Sequence, residues 1–383
     1  MTGLDLDHKL SIVYSEDFQR YNFGPSHPMK PTRLKLTFEL MRSLGLLSAP
    51  NVDVKEPRSA SMDELRLFHS GEYLQFVHEM SRSGNGYLDL GDTPAFKGCF
   101  EASALAVGAS LTAVDIVMSG HANHAVNISG GLHHAHKDHA SGFCIFNDLA
   151  VAVSYLKKKY QLSRILYLDV DAHHGDGVMY GFYDDDALLD IDFHEDGRNL
   201  FPGTGFINET GEGKALGLKI NVPLPPFTTD DGYLKLFREI VPKAVRKFRP
   251  EILLMQCGAD AHVNDLLAHL KLTSRTYREA TKMMDELSHE VADSRFVLFG
   301  GGGYNMANVA RTWTIVSAAS INYSLPNEIP ENWRRLFEAL VGEPAPTSLD
   351  SEINYGGLPE DVVSELVSST LAKLKSNISL LAS

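Results

Sequence analysis

The sequence predicts an α/β fold in which a mostly parallel sheet is covered by helices. Short apolar runs alternate along the chain with longer amphipathic segments, and this alternation is typical of strand–helix–strand units. The runs are apolar throughout, as expected for strands that are buried on both faces. The chain has 383 residues, 44% of them hydrophobic, which is enough to bury a large core.

Five strands and a helix between two of them are predicted in order. The strands are HAVNIS (124–129), RILYLD (164–169), ALLDIDFH (187–194), EILLMQ (251–256) and RFVLFG (295–300). The helix covers 147–160, because Asn147 and Asp148 can cap its start and three lysines lie in its last turn.

The C-terminal part of the chain predicts a loop and a last helix. Segment 342–357 is rich in Pro, Gly and Ser, and the helix begins near Pro359. Val363, Val367 and Leu371 form one apolar face, which we expect to pack against the body, with self-association as the alternative. Because no repeat or linker precedes it, we predict one domain over 1–383 with a helical extension from about residue 340.

Composition and charge limit the classes of partner and compartment. The 35 Lys and Arg against 49 Asp and Glu give a net charge of −14, which repels nucleic-acid phosphates and attracts lysine-rich tails. The chain has an odd number of cysteines, and they lie far apart: Cys99, Cys144 and Cys257. This pattern indicates free thiols in a reducing compartment. The segment MTGLDLDHKLSIVY lacks the features of a secretory signal, and we expect that no apolar stretch reaches the length of a membrane span. We expect a cytoplasmic protein without nucleic-acid or membrane partners.

The stretch DVDAHHGDG (169–177) ends one predicted strand with titratable side chains. If the strand continued through it, Asp169, Asp171 and His173 would share one face. Carboxylate with imidazole suits zinc or another divalent first-row ion. The best third donor is Asp260, which follows the strand EILLMQ, because ligands in open α/β sheets gather at the carboxyl ends of strands. Such a set leaves room for water and substrate, as a catalytic site requires.

A second cluster, SGGLHHAHKDHASGFC (129–144), also follows a predicted strand. Its glycines allow His133 and His134 to turn toward the same space. Asp169 and Asp176 are carboxylates that can hold the two imidazoles in one tautomer. Two His–Asp pairs beside a metal would form a general acid/base apparatus.

The third element, RFVLFGGGGYN (295–305), leads a strand into four glycines and then Tyr304. Backbone can approach a site closely there, and the phenol can hydrogen-bond a developing oxyanion. The glycine run lacks the spacing of a phosphate-binding loop, so we reject a nucleotide site. Phe143 and Phe201 lie in glycine-rich loops and are candidates for a pocket mouth. Six further histidines are predicted to be surface or loop residues without a role: His121, His124, His136, His139, His262 and His269.

Together these motifs resemble the zinc-dependent histone deacetylases of class I type and their prokaryotic relatives, the acetoin-utilisation deacetylases. The resemblance runs from about Tyr21 to about Trp313 and includes HPMKPTR, GGLHHA, ASGFC, DVDAHHGDG, FPGTG, GAD and GGGGYN. It implies an arginase-like three-layer α/β fold with a central sheet flanked by helices. It also implies one zinc ion for each chain.

The resemblance assigns roles to individual residues. It implies zinc held by Asp171, His173 and Asp260. It pairs His133 with Asp169 and His134 with Asp176, and it makes His134 the principal general base and acid, His133 its electrostatic partner and Tyr304 the oxyanion donor.

The resemblance also implies a tunnel for the substrate. Phe143 and Phe201 would flank the methylenes of acetyl-lysine, with Gly142 contributing backbone. Asp92, in LGDTP, matches a rim aspartate that holds the substrate backbone. Arg33 matches an arginine near an internal acetate channel.

Three positions differ from the residues that many members of the family, or some of its branches, carry there. Asp192 stands where many members have serine beside a structural monovalent cation, K⁺ or Na⁺, which puts the usual preference for potassium in doubt. Leu132 stands where many eukaryotic members have tryptophan, which favours the prokaryotic branch. Leu267 occupies the position of an acidic residue in polyamine-directed relatives, which disfavours a polyamine substrate.

These features predict a zinc amidohydrolase that removes acetyl groups from lysine side chains of proteins or peptides. Deacetylation of small acetylated amines or polyamines is the first alternative. A two-manganese ureohydrolase is disfavoured, because Asp260 is followed by Ala261 and His262 and a second set of bridging aspartates is missing. A scaffold that binds acetylated tails without turnover is the alternative from another class.

Overall fold

The computed structural model describes residues 8–350 and 359–381. Within them the strands are β1 (Leu10–Val13), β2 (Val52–Lys55), β3 (His124–Asn127), β4 (Ile165–Asp169), β5 (Leu188–Glu195), β6 (Lys219–Leu224), β7 (Ile252–Gln256) and β8 (Phe296–Phe299). These eight strands form one sheet in the order β2-β1-β3-β8-β7-β4-β5-β6. Every neighbouring pair is parallel, which confirms the predicted α/β class.

Helices connect and cover these strands. The described α-helices are α1 (Thr32–Ser43), α2 (Met62–Leu65), α3 (Gly71–Ser83), α4 (Cys99–Met118), α5 (Asp148–Lys159), α6 (Asp176–Gly181), α7 (Asp230–Phe248), α8 (Ser274–Val291), α9 (Met306–Ala319), α10 (Glu331–Val341) and α11 (Glu360–Asn377). The prediction for 147–160 is confirmed, since the Asn147 side chain accepts the backbone N–H of Ala150 at 2.9 Å and caps α5.

The five predicted strands correspond to β3, β4, β5, β7 and β8, whereas β1, β2 and β6 were not predicted. Both β2 and β6 lie at the edges of the sheet, where strands are less apolar. In β2, which reads VDVK, valines alternate with charged residues. Strand β6 contains Pro223, which is tolerated at an edge. Strand β1 was missed although its four residues, LSIV, are all buried.

The last helix packs against the body as expected. Val363 and Val367 of α11 are buried, and Leu371 is partly buried, in a helix that contacts α7 and β6. Part of the predicted loop 342–357 lies outside the described residues, and the single-domain interpretation stays a prediction.

The expectation that no stretch reaches the length of a membrane span is wrong for α4. Its 20 residues have a mean hydropathy of 1.5 over an 18-residue window, which is apolar enough to cross a membrane by length and composition. However, 78% of that window is buried inside the fold, because α4 packs on β1, β3 and β8. A helix that is apolar on all sides is typical of a core position.

The order of the strands positions the functional clusters. Strands β3, β8, β7 and β4 are consecutive neighbours in the centre of the sheet. Because all of them run in the same direction, the loops that follow them meet at one edge. These loops carry the histidine pair, the glycine run, Asp260 and the DVDAHHGDG stretch.

Candidate active site

Asp171, His173 and Asp260 form a buried cluster whose donor atoms lie within 4.8 Å of one another. His173 Nδ1 lies 3.2 Å from Asp171 Oδ1 and 3.0 Å from Asp260 Oδ2. Strand β4 ends at Asp169, so Asp171 and His173 are in the following loop. The condition for a shared strand face of Asp169, Asp171 and His173 is therefore not met, because no strand continues through the stretch.

The second carboxylate oxygens of this cluster are held by groups from neighbouring strands and loops. Asp171 Oδ2 accepts hydrogen bonds from the Gln256 side chain and from the Gly302 backbone N–H, both at 2.8 Å. Asp260 Oδ1 accepts the Ala172 N–H at 2.8 Å. One oxygen of each carboxylate is thus fixed, and the other faces His173.

The charges of the cluster fit a divalent cation. Burial opposes charge on His173, yet hydrogen bonds to Asp171 and Asp260 raise the pKa of His173 to about 10. Burial and the neighbouring Asp171 raise the pKa of Asp260 to about 7. Two buried carboxylates beside one imidazole therefore need additional positive charge, which a zinc ion would supply to this donor set.

Gly302 leaves space next to the two carboxylates. A Cβ atom on Gly302 would lie 2.0 Å from Asp260 Oδ2 and 2.9 Å from Asp171 Oδ2, closer than real Cβ contacts. Only glycine permits its backbone N–H to reach Asp171 in this position. The close approach predicted for the glycine run is therefore observed at the carboxylate cluster.

The predicted His–Asp pairs are both observed. His133 Nδ1 lies 2.7 Å from Asp169 Oδ2, and His134 Nδ1 lies 2.7 Å from Asp176 Oδ1. The Nε2 atoms of the two imidazoles are 3.1 Å apart, so both rings turn into the same space. Tyr167 also donates its hydroxyl to Asp169.

The two imidazoles have opposite electrostatic environments. Burial disfavours the cation of His133, but Asp169 and Asp171 outweigh it and raise the pKa of His133 to about 10. Burial and the adjacent His133 lower the pKa of His134 to about 4. The pair thus favours a cationic His133 and a neutral His134, whose Nδ1–H donates to Asp176.

Tyr304 lines the same cavity as the histidine pair and the carboxylate cluster. It is buried, and burial raises the pKa of its phenol well above 10, which keeps the O–H protonated. Its backbone N–H donates to Asp265 Oδ2 at 2.8 Å. Arg33 donates to the carbonyls of Gly301 and Gly303 at 2.8 and 3.2 Å, so a buried cation holds the glycine run in place.

Arg33 also lines a second cavity that adjoins the first. The two cavities share Met29 and Leu132, and the second reaches Lys30. Arg33 lies over the ring of Trp313 at 5.0 Å. The internal channel implied at Arg33 is therefore compatible with the structure.

Phe143 and Phe201 approach the cavity from two different loops. The Phe143 ring contacts Tyr304 edge-on at 5.8 Å, and the Phe201 ring contacts His134 edge-on at 5.1 Å. Gly142 between them has a φ of +52°, and a Cβ atom there would lie 2.4 Å from the His134 ring. Glycine at this position lets the backbone line the cavity.

Asp92 lies on an exposed loop beside the cavity mouth. Asp89 Oδ1 accepts the backbone N–H groups of Gly91, Asp92 and Thr93 at 2.9 to 3.1 Å, which fixes the loop. The Thr93 hydroxyl accepts the Phe143 N–H at 3.1 Å and connects it to the tunnel residues. Partial burial and Asp89 raise the pKa of Asp92 to about 6.

Leu267 is half-buried, and its backbone N–H donates to Asp265 Oδ1 at 3.0 Å. The same carboxyl group holds the Tyr304 backbone through its other oxygen. Leu267 is therefore tied to the segment that carries the phenol.

Asp192 has a partner for each oxygen. Oδ1 lies 2.6 Å from His194 Nδ1, and Oδ2 accepts the Gly175 N–H at 2.7 Å. Burial and the adjacent Asp169 raise the pKa of Asp192 to about 6. The His194 imidazole thus already offers this carboxylate a positive partner.

Some residues were missed or misjudged from sequence. His124 is fully buried in β3 and is not a surface or loop residue, whereas His262 lies in a loop as predicted but is also buried. His136 lies 3.2 Å from the second oxygen of Asp176. Gln256, which orients Asp171, was missed, although a polar residue at the end of the apolar run EILLMQ was a usable signal. No local pattern pointed to Asp265.

The structural picture agrees with comparisons to known proteins. Residues 27–320 match the histone deacetylase domain. The acetoin utilization protein AcuC of Bacillus subtilis is 42% identical over 330 residues, 84% of each chain. AcuC of Staphylococcus xylosus is 37% identical over 365 residues, 93% of this chain and 94% of the relative.

Solved structures support the same relationship. A crystal structure of a histone deacetylase homologue from Aquifex aeolicus aligns with a TM-score of 0.82 at 30% identity, over 96% of this chain and 100% of that chain. A homologue in complex with SAHA aligns with a TM-score of 0.83 at 29% identity, over the same shares. The arginase-like α/β fold is thereby confirmed, and the chain belongs to the histone deacetylase family of hydrolases.

Proposed function

We propose that the protein is a zinc-dependent lysine deacetylase that hydrolyses the acetyl amide of N-ε-acetyl-lysine and releases acetate and the free amine. The observation that supports this most strongly is the convergence of three sets on one buried cavity: the Asp171, His173 and Asp260 cluster, the two His–Asp pairs, and Tyr304. Deacetylation needs one metal-binding set, one proton carrier and one oxyanion donor, and each is present.

Asp171, His173 and Asp260 would hold the zinc ion. When bound, zinc would polarise the acetyl carbonyl and lower the pKa of the attacking water to about 7. Gln256 and the Gly302 N–H keep Asp171 oriented by occupying its other oxygen. The ligand positions are thus set before substrate arrives.

His134 takes the proton of the attacking water at Nε2. It can do so because its lowered pKa keeps the ring neutral. Since Asp176 accepts the Nδ1–H, Nε2 is the nitrogen that can take up a proton. His133 carries a positive charge next to this position and offsets the negative charge that develops on the substrate oxygen. The Tyr304 hydroxyl donates a hydrogen bond to the same oxygen as the carbonyl becomes tetrahedral.

Collapse of the tetrahedral species needs a proton on the leaving nitrogen. His134, now protonated and still hydrogen-bonded to Asp176, delivers that proton to the lysine amine. The carbon–nitrogen bond breaks, the hydroxyl proton of the new carboxyl group passes to the free amine, and acetate and the lysine ammonium leave. The adjoining cavity, which shares Met29 and Leu132 with the first and is lined by Arg33, would give acetate a place to leave with a cation at its side.

The surface around the mouth favours a protein or peptide over a small amine. A groove of about 670 Å³ lies outside the tunnel, lined by Asp89, Leu90, Asp92 and Phe201 among others. Leu90 is fully exposed there, and an exposed apolar side chain beside a groove offers a contact for a larger ligand. A small acetylated amine would use the tunnel and leave this groove empty.

The alternatives are less well supported. His262, which follows Asp260 by two residues, directs Nδ1 to the Val263 carbonyl at 3.0 Å and does not join the metal-binding group found there among the described residues. A ureohydrolase with two metals therefore lacks its second set of ligands. A scaffold without turnover has no need for the two His–Asp pairs.

We place the reaction in the cytoplasm, since the three cysteines are free and buried thiols as expected in a reducing compartment. A monovalent cation near Asp192, K⁺ or Na⁺, remains part of the proposal. Its test is whether activity changes when Na⁺ replaces K⁺ at constant ionic strength.

The decisive experiment measures acetate release from an acetyl-lysine peptide, with acetylated spermidine as the competing substrate. We expect the peptide to have the higher kcat/KM. His134→Asn should remove turnover of both, whereas His78→Asn, an exposed histidine on α3, should match wild type. Preferred turnover of acetylated spermidine would reassign the substrate to small amines, and no turnover of either by zinc-loaded protein would support the scaffold.

A further inference from the structure

A second group of histidines lies at the opposite edge of the sheet, where the strands begin. His124 is the first residue of β3, and His8 precedes β1, the neighbour of β3. Asp285 and His289 lie four residues apart near the end of α8. We name these four residues the amino-end cluster: His8, His124, Asp285 and His289.

The donor atoms of the amino-end cluster converge. Those of His8, Asp285 and His289 all lie within 4.8 Å of one another. Asp285 Oδ1 is 3.2 Å from His289 Nε2 and 3.5 Å from His124 Nε2. Four ligands placed tetrahedrally around zinc, with bonds of about 2.0 to 2.1 Å, are roughly 3.3 Å apart. The separations to Asp285 therefore match the spacing of a zinc ligand set.

Burial makes this convergence costly without a cation. His124 is completely buried, and neither of its ring nitrogens makes a hydrogen bond of acceptable geometry. The Ser320 carbonyl lies near the ring, outside that geometry. Asp285 is buried and its Oδ1 accepts no hydrogen bond. Within residues 8–350 and 359–381, no Lys or Arg forms an ion pair with Asp285.

His289 is already oriented as a ligand would be. Its Nδ1 lies 2.6 Å from the Ser294 hydroxyl, and its Nε2 points at Asp285. A hydrogen bond at one ring nitrogen fixes the orientation of an imidazole, as is usual for histidines that bind metals. The His8 ring packs on it at 4.1 Å between centroids, and a donor atom of each ring lies within 4.8 Å of the other.

We infer that the amino-end cluster is a second metal site that binds Zn²⁺ or a similar divalent first-row ion through Asp285, His289 and His8, with His124 as the buried fourth ligand. Imidazole and carboxylate suit such ions. The site joins the segment before β1, the start of β3 and the end of α8, so the bound ion would fix three parts of the chain to one another.

The test counts zinc in the full chain after removal of metal and dialysis against buffered Zn²⁺. Wild type should hold two zinc ions for each chain, and His289→Ala and Asp285→Asn should each hold one. His121→Ala is the matched control, because His121 lies three residues before His124 and binds Asp53 instead. It should retain two.

Variants in the active site separate this inference from the proposed function. Asp260→Ala should hold one zinc ion, and Asp260→Ala with His289→Ala should hold none. If Asp260→Ala still holds two ions and His289→Ala one, the amino-end site stands and the proposed catalytic ligand is wrong. If His289→Ala and Asp285→Asn bind as much zinc as wild type, the inference is overturned.

His8→Ala removes a ligand without unfolding the protein, since His8 is half-buried and precedes the first strand. Without zinc, its melting temperature should equal that of wild type. Removing the His8 ligand should weaken zinc binding at this site by more than the roughly 10- to 100-fold that is typical of losing a residue that only orients a ligand. A wild type that binds one zinc ion, removed entirely by Asp260→Ala, would also overturn the inference.

Discussion

Replacing Gly302 with alanine tests how tightly the carboxylate cluster is built. The new Cβ atom would lie 2.0 Å from Asp260 Oδ2, at least 1.0 Å short of the 3.0 Å that real Cβ atoms keep. Asp260 cannot easily yield, because its Oδ1 is held by the Ala172 N–H at 2.8 Å. The Gly302 backbone cannot withdraw without breaking its own hydrogen bond to Asp171.

A shift of about 1 Å in a catalytic group costs on the order of 10²-fold in rate, and disturbed ligand orientation costs about 10- to 100-fold in metal affinity. We therefore expect Gly302→Ala to lose zinc at the active site and to lower kcat/KM at least 10²-fold at limiting metal. Zinc titration and acetate release from an acetyl-lysine peptide measure the two effects.

Gly71→Ala is the matched control, since a Cβ atom at this first position of α3 meets nothing within 4 Å. It should leave zinc affinity and kcat/KM unchanged. Circular dichroism of both variants without metal checks the fold. If Gly302→Ala binds zinc as wild type does and keeps kcat/KM within about threefold, where misplacement should cost about 10², the steric reasoning is refuted.

Three further substitutions test separate parts of the site. Tyr304→Phe should lower kcat by about 10² to 10³, with KM and zinc content nearly unchanged, because only the oxyanion donor is lost; a kcat within about threefold at matched zinc occupancy would remove Tyr304 from the mechanism. Phe201→Ala should weaken substrate binding by on the order of 1 to 3 kcal/mol in kcat/KM, and an unchanged kcat/KM for the peptide would contradict the tunnel. Asp260→Ala should abolish turnover and zinc binding at the active site, whereas a variant with full zinc and near-normal activity would show that the ligand is misassigned.

The sequence predicts the central strands and the polar residues after them, because both are local patterns. Apolar runs such as EILLMQ show where a strand ends, and parallel strands bring their ends together. Asp171 and Asp260 could therefore be placed together without knowledge of the fold. Strands at the edges, such as β2, carry too little apolar pattern to be recognised.

What could not be predicted depends on where a strand stops and on contacts between distant residues. Because side chains alternate between the two faces of a strand, Asp169 and Asp171 would share one face if β4 continued. However, β4 ends at Asp169, whose carboxylate contacts His133 and Tyr167 instead. His124 looked like an unremarkable residue at the start of HAVNIS. Its neighbours Asp285 and His289 lie more than 160 residues further along the chain, so no local pattern connects them.

The two hydrogen bonds on Asp171 Oδ2 have a consequence for biosynthesis. They come from Gln256 at the end of β7 and from Gly302 after β8, and the second joins residues 131 positions apart. Contacts of such sequence separation form only after long loops have closed. During synthesis from the N-terminus, Asp171 and His173 leave the ribosome long before the groups that orient them. If this cluster holds the proposed zinc ion, the ion cannot guide the early collapse of the chain, and zinc loading would report that the sheet has been completed through β8.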